Sequence, residues 1–293
     1  MSRLDLVARA SELRAKRVPF VLATVLRAEA PTSAKPGDSA VVLADGSIEG
    51  FVGGSCAQAT VRAESLRSLA DRRPRMLLIA PDADAGPAPE GVVRVSNPCL
   101  SGGTLEMFLE PTLPAPLVCV YGTSPIAVTL RAGAEALGFD TMEGVPGERI
   151  AEETSAVVVA THGFDEEAVI TEALEAGVPY IGLVASRRRA EGVLGAMELG
   201  PDDLARVHSP AGLDIGAASP GEIAVSILAE MISLRPRTEA LPAPEVAIDP
   251  VCQMEVAAVE SSLHSEFEGR TYYFCAKGCL KAFSADPMAF LGG

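Results

Sequence analysis

The strongest constraint on the fold is a change of pattern at Pro111-Thr112-Leu113-Pro114-Ala115-Pro116, a proline-rich stretch that reads as a linker. Beyond it, short apolar runs alternate with helical stretches. Residues 117–121, 156–161 and 180–184 read as buried strands, and 125–137, 165–176 and 221–234 as helices, with Pro125 suited to a first turn. Strands alternating with helices in this way predict an α/β domain on a parallel sheet over residues 117–236.

Before the linker the pattern differs and predicts an α+β domain over residues 1–111. Leu6, Val7, Ala10 and Leu13 follow helical spacing, so residues 3–16 read as an amphipathic helix that Pro19 ends. Strand-like runs at 20–26, 39–43 and 47–52 follow, the last two flanking the hairpin signal Asp45-Gly46. A helix over 57–72 stops near Pro74. Residues 76–80 read as a strand, 81–90 as a loop, and 92–95 and 104–109 as two further strands.

Two glycine loops stand at strand ends in this region. Gly53-Gly54-Ser55-Cys56 leads from a strand into a helix, and Pro98-Cys99-Leu100-Ser101-Gly102-Gly103 repeats the recipe. Glycine lets a ligand approach the backbone, and the free N–H groups of a helix start favour an anion. A thiol at that position has its pKa lowered, so Cys56 is expected to be partly thiolate. The two loops are expected to form one pocket, with Cys99 opposite Cys56.

Composition excludes several functions. A formal net charge of -15 argues against nucleic acid and anionic membrane as partners. No run approaches the roughly 18 apolar residues of a membrane span. Arg3, Asp5, Arg9, Glu12, Arg14 and Lys16 make the N-terminus unlike a signal peptide, so a cytoplasmic location is expected. In a reducing compartment the six cysteines read as ligands or nucleophiles rather than disulfides. Cys119, in an apolar run, reads as a small core hydrophobe.

Residues 239–247 form a second Pro- and Ala-rich linker, and 248–293 form a third region. A module of about 45 residues usually needs a staple. It contains an expected hairpin, 263–267 and 271–274, and the cysteines Cys252, Cys275 and Cys279. A helix starting at Cys275 would aim its sulfur and that of Cys279 at one point. With Cys252, three thiolates can surround zinc or copper(I), and His264 is a candidate fourth ligand. The alternative is three buried thiols in a small core.

These residues resemble the YHS domain, a small metal-associated module. The likeness rests on Asp249-Pro250-Val251-Cys252-x-Met254, Tyr272-Tyr273-Phe274-Cys275, Cys279, Phe283 and Asp286-Pro287. Gln253 stands where that family usually has glycine. The resemblance implies heavy-metal binding without fixing the metal.

The region after the first linker resembles a Rossmann-like domain with an irregular phosphate loop. Gly122-Thr123-Ser124-Pro125 has one glycine where a dinucleotide-binding loop shows three, and Asp140 and Glu143 are loose candidates for the ribose-binding acid. The residues alone leave open a packing and dimerising scaffold, a site for another phosphorylated ligand, or an NAD(P)-binding oxidoreductase.

Together the first two regions are similar to the XdhC/CoxI family of molybdenum hydroxylase maturation factors. The matching residues include Pro36-Gly37, Gly50-Phe51-Val52-Gly53-Gly54-Ser55-Cys56, Cys99 through Glu110-Pro111, Thr161-His162, Ser186-Arg187-Arg188 and Gly212-Leu213-Asp214-Ile215-Gly216-Ala217. The order Gly-Gly-Ser-Cys looks closer to the branch found with carbon monoxide dehydrogenase than to the xanthine dehydrogenase branch. Gln58 stands where a carboxylate usually follows the cysteine.

The resemblance implies a non-catalytic chaperone that binds molybdenum cofactor (molybdopterin), protects it during sulfuration and inserts it into a client molybdenum hydroxylase. A cysteine desulfurase is an expected second partner, and a homodimer the expected assembly. Gly53, Gly54, Ser55, Cys56, Cys99, Gly102 and Gly103 are the expected cofactor residues, with His162 lining the site and Arg187 and Arg188 holding phosphate. A competing role is copper or zinc handling through the C-terminal module.

Overall fold

The computed structural model describes residues 3–81, 91–96, 103–235 and 244–291. Residues 82–90, the second glycine loop over 97–102 (with Cys99 and Gly102) and residues 236–243 lie outside the described residues. The chain divides into two units, Met1–Pro114 with Ala240–Gly293, and Ala115–Glu239.

The first unit begins with helix α1 (Arg3–Ala15). Its Leu6, Ala10 and Leu13 pack with Phe20 and Val41. Val7, expected on that face, is exposed, because one residue beyond Leu6 is turned about 100° round the helix. There follow β1 (Phe20–Glu29), β2 (Ser39–Leu43), β3 (Ile48–Gly50), α2 (Ser55–Asp71), β4 (Arg75–Ala80), β5 (Val92–Ser96) and β6 (Thr104–Thr112). The strands form one sheet in the order β3-β2-β1-β6-β4-β5. Its spine is the antiparallel pair β1 and β6, with a bulge between Val25 and Arg27. Asp45-Gly46 turns β2 into β3: Gly46 takes φ +79 and donates its N–H to the Leu43 carbonyl at 2.9 Å.

Helix α2 lies against this sheet. Val61, Leu66 and Leu69 share a core with Val21, Val25, Leu77, Ile79 and Met107. A surface helix would show a polar far side, yet α2 also buries Cys56 and Ala59. What covers them comes from the other end of the chain.

The second unit is a parallel α/β layer structure. It runs β7 (Leu117–Tyr121), α3 (Pro125–Ala136), β8 (Asp140–Gly144), β9 (Thr154–Val159), α4 (Glu166–Glu175), β10 (Ile181–Leu183), α5 (Arg187–Ala196), α6 (Pro201–Leu204), β11 (Val207–His208) and α7 (Pro220–Leu234). The sheet order is β11-β10-β9-β7-β8 and every pairing is parallel. Counted along the chain this is the doubly wound order 2-1-3-4-5. One face packs Val118, Val120 and Val158 with Leu130 of α3 and Ile227 of α7. The other packs Val157, Val159 and Ile181 with Ile170 of α4 and Ala190 of α5. Cys119 is buried inside that second layer, where desolvation pushes its thiol up to about 11.

Residues 244–291 complete the first unit. β12 (Val246–Ile248) pairs with β13 (Glu255–Ala257), and β14 (Leu263–Phe267) forms a hairpin with β15 (Arg270–Phe274). Glu268 and Gly269 take φ +49 and +74, as a two-residue hairpin turn requires. α8 (Lys277–Ala285) and α9 (Met288–Leu291) follow. Phe283 is the centre of this small module, with the rings of Tyr272, Phe274 and Phe267 at 5.0, 5.2 and 6.1 Å.

The module docks on α2. Ala257 enters the sheet–helix core, and Met254 and Val256 cover Cys56 and Ala59. Arg67 pairs with Glu255 at 2.6 Å, and the Ser261 hydroxyl donates to the Asp45 carbonyl at 2.8 Å. No helix among the described residues is long and apolar enough to cross a membrane.

Replacing Phe283 by alanine is expected to cost the module about 3–5 kcal/mol. Hydrogen exchange should show the matching loss of amide protection across β14 and β15. Undiminished protection there would show that the aromatic cluster is not what holds the hairpin.

Candidate metal and cofactor site

The first glycine loop shows two different uses of glycine. Gly53 has φ +126, and a Cβ there would meet Ala57 Cβ at 3.2 Å and Leu105 Cδ1 at 3.3 Å. It is therefore a packing glycine, which lets the start of β6 approach α2. Gly54 caps α2 without a side chain, and no atom of the described residues lies within 4 Å of where its Cβ would stand. Gly54 and Ser55 are exposed among the described residues, at the positive end of the helix dipole. Gln58 braces the loop: its side-chain amide donates to the Gly53 carbonyl at 3.2 Å.

Cys56, second residue of α2, faces the other way. It is 9% exposed and packs with Ala59, Met254, Val256 and Cys275. Of the second glycine loop only Gly103 is described. A Cβ on it would stand 2.3 Å from the Pro31 carbonyl oxygen, so it too is there for close packing.

The C-terminal cysteines converge. Cys275 Sγ lies 3.5 Å from Cys252 Sγ, 3.8 Å from Cys279 Sγ and 4.0 Å from Cys56 Sγ. Asp249, Cys252, Cys275 and Cys279 each bring one ligand atom to within 4.8 Å of the others, a group that can hold a metal ion. Local structure explains the convergence. Asp249 is fully buried; one carboxylate oxygen accepts from the Val251 N–H and the other from the Cys275 N–H, both at 2.9 Å. It thus ties the turn carrying Cys252 to the strand end carrying Cys275. Gln253 takes φ +63, a left-handed conformation that glycine adopts without strain. Cys279 sits in the first turn of α8, whose cap residue Ala276 offers no side-chain hydrogen bond.

The thiols perturb one another. Hydrogen bonding to Cys252 and Cys56, with burial, pushes the Cys275 thiol up. Burial, followed by the charge of Asp249, pushes Cys279 up to about 12. The hydrogen bond from Cys275 lowers Cys252. Crowded sulfurs of this kind keep their protons until a cation replaces them, so metal binding here must release protons.

His264 does not join this group. It lies on β14 with Nδ1 2.8 Å from the Ser262 carbonyl oxygen, and its ring is 5.9 Å from that of Tyr273. Beside Cys252 lies a cavity of about 420 Å³, bordered by Glu64, Arg67, Arg94, Ser96 and Glu255. Two arginines against two glutamates give it no excess positive charge for a phosphate.

In the second unit, His162 follows β9, exposed and with φ +55. Arg187 and Arg188 are exposed in the first turn of α5. Arg189 is the member of the basic run with a built partner: it meets Glu166, 1% exposed, at 2.7 Å. The other oxygen of Glu166 accepts from the Gly163 N–H at 2.9 Å, which fixes the loop carrying His162. Gly122 is a packing glycine, since a Cβ there would lie 2.5 Å from the Ala160 carbonyl oxygen. Ser124 caps α3 with its own hydroxyl, accepting from the Ala127 N–H at 3.2 Å.

Sequence reasoning did not identify Asp249 as part of the thiol group, although an acid three residues before the first cysteine was a usable signal. It gave no sign that Cys56 meets Cys275, 219 residues away, nor that Glu166 anchors Arg189.

The second unit is thus a parallel sheet in the order 2-1-3-4-5, and the first an α+β unit that carries a clustered-cysteine module. The model described as the XdhC and CoxI family matches residues 13–79, that of the XdhC Rossmann domain residues 118–231, and that of the YHS domain residues 247–293. The domains that these three models describe are all present in the chain, in that order.

Among curated proteins it is 28% identical over 263 residues to uncharacterized protein YqeB of Escherichia coli K12, covering 79% of this chain and 46% of that protein. It is 29% identical over 160 residues to a probable xanthine dehydrogenase subunit of Bacillus subtilis 168, covering 46% and 47%. The chain spans about half the length of these relatives. A crystal structure described as that of a xanthine dehydrogenase from Bacillus halodurans aligns over 82% of this chain and 98% of its own, at 19% identity and a TM-score of 0.39.

Asp249→Ala leaves the Cys275 N–H without its buried acceptor. It is expected to weaken zinc binding by about 10–100-fold, read by competition with a chromogenic chelator. Unchanged affinity would show that the carboxylate does not position the cysteine.

Proposed function

We propose that this chain is a maturation factor for a xanthine dehydrogenase-type molybdenum hydroxylase, which holds molybdenum cofactor and passes it to that client. The observation that supports this most is the presence in one chain of the XdhC and CoxI family region and the XdhC Rossmann domain. The name of the Bacillus subtilis relative points the same way. A client of the carbon monoxide dehydrogenase type falls within the same proposal.

The described residues suit one end of the cofactor. Its phosphate matches the uncapped first turn of α2, where the N–H groups at Gly54 and Ser55 are open. Arg187 and Arg188 on α5 offer a second exposed place for phosphate. The molybdenum end does not suit Cys56 as it stands, because that sulfur is buried against Met254 and Cys275. The bound group supplies the molybdenum chemistry, and this chain supplies anchoring and shelter.

A second role is supported by the thiol group: the C-terminal module binds zinc or copper(I) through Cys252, Cys275 and Cys279. An NAD(P)-dependent oxidoreductase is supported less well. Ser124 occupies the α3 terminus with its own hydroxyl, and Gly122 serves packing against Ala160.

The test is purification from a cofactor-producing host, followed by release of oxidised pterin and elemental analysis. Wild type should carry pterin. Gly54→Asp should lose it, because the new carboxylate caps the helix and repels phosphate while fitting open space. Its zinc content should not change. Absence of pterin from the wild type would contradict the cofactor role.

A further inference from the structure

We infer that Cys56 of α2 is a fourth thiol ligand of the metal site in the C-terminal module, so that one soft cation fastens the module to the N-terminal sheet domain. This rests on the reading of the module as a metal site. It assigns that site a ligand from outside the module.

The distances carry the inference. With zinc–sulfur bonds of about 2.3 Å, the sulfurs of a tetrahedral site stand about 3.8 Å apart. Among the described residues Cys275 has three sulfur neighbours, Cys252, Cys279 and Cys56, at 3.5, 3.8 and 4.0 Å. Those are the neighbours of one corner of a four-thiolate site; Cys56 reaches the group through Cys275 and lies outside the set Asp249, Cys252, Cys275 and Cys279, so loading must draw it in toward Cys252 and Cys279. Asp249 and His264 are the rival fourth ligands. Asp249 accepts the backbone N–H groups of Val251 and Cys275, one on each carboxylate oxygen, and its ligand atom lies within 4.8 Å of the three module sulfurs. His264 has turned Nδ1 to the Ser262 carbonyl.

Electrostatics favours the same set. Four thiolates around a divalent ion leave excess negative charge, which needs nearby positive ends of dipoles. Cys56 lies in the first turn of α2 and Cys279 in the first turn of α8, and neither helix has a side-chain cap. These helix starts offset part of the burial and the Asp249 charge that hold the thiols protonated, the remainder being supplied by the cation itself. Loading breaks four S–H bonds, forms four metal–sulfur bonds and releases four protons to solvent. No oxidant or reductant is needed. While the site is filled, Cys56 is withheld from the open face of the Gly53-Gly54 loop.

The full-length chain, stripped of metal, is titrated with zinc against a chelator, and in parallel with cobalt(II), whose sulfur charge-transfer band reports thiolate ligation. Cys56→Ser is expected to bind zinc more than about tenfold more weakly and to show a reduced band with cobalt. Cys56→Ala controls for folding, since alanine favours the helix. Its metal-free form should keep wild-type amide protection in α2, yet show the same weakened binding. Wild-type affinity and band in both variants, with binding abolished by Cys275→Ser, would overturn the role of Cys56 and leave the module's own metal site standing. Failure of the wild type to bind zinc or cobalt would overturn both.

Discussion

Burial of helix α2 from two sides is the constraint on which the first unit depends. One side is held by the sheet, through Val61, Leu66 and Leu69. The other is held by the C-terminal module, through Met254 and Val256 against Cys56 and Ala59. Small residues make this possible: Ala57, Ala59 and Ala63 keep the helix slim where a second layer must approach. The ion pair from Arg67 to Glu255 and the hydrogen bond from Ser261 to Asp45 fix where the module sits. A partly exposed pair contributes little on its own, so apolar contact dominates.

This packing changes what the first glycine loop can do. Its chemistry divides at the start of α2. The backbone side, at Gly54 and Ser55, is open and suited to an anion. The sulfur side, at Cys56, is closed into the thiol cluster.

Much of this architecture was legible in the residues. The apolar runs at 117–121 and 180–184 contain strands of the parallel sheet and that at 156–161 overlaps one set two residues earlier, because buried strands leave an unmistakable composition. The Asp45-Gly46 hairpin followed from turn chemistry. β8 was not legible, since Asp-Thr-Met-Glu-Gly lies at the sheet edge, has no fully buried residue and shows no apolar run. β11 is two residues long and below any pattern. The cysteines of the module were visible as a group, but the approach of Cys56 was not. Local spacing reports contacts within an element, and this contact bridges 219 residues through tertiary packing alone. His264 drew attention by residue type, while its orientation depends on a hydrogen bond to Ser262 that no spacing encodes.

The central claim is that a sulfur from α2 completes the metal site of the module. X-ray absorption at the zinc edge of the zinc-loaded wild-type chain tests it most directly, because it counts the atoms bound to the ion. Four sulfur neighbours at about 2.3 Å are the predicted result. Three sulfurs with one oxygen or nitrogen would contradict it, and would return the fourth position to Asp249, His264 or solvent.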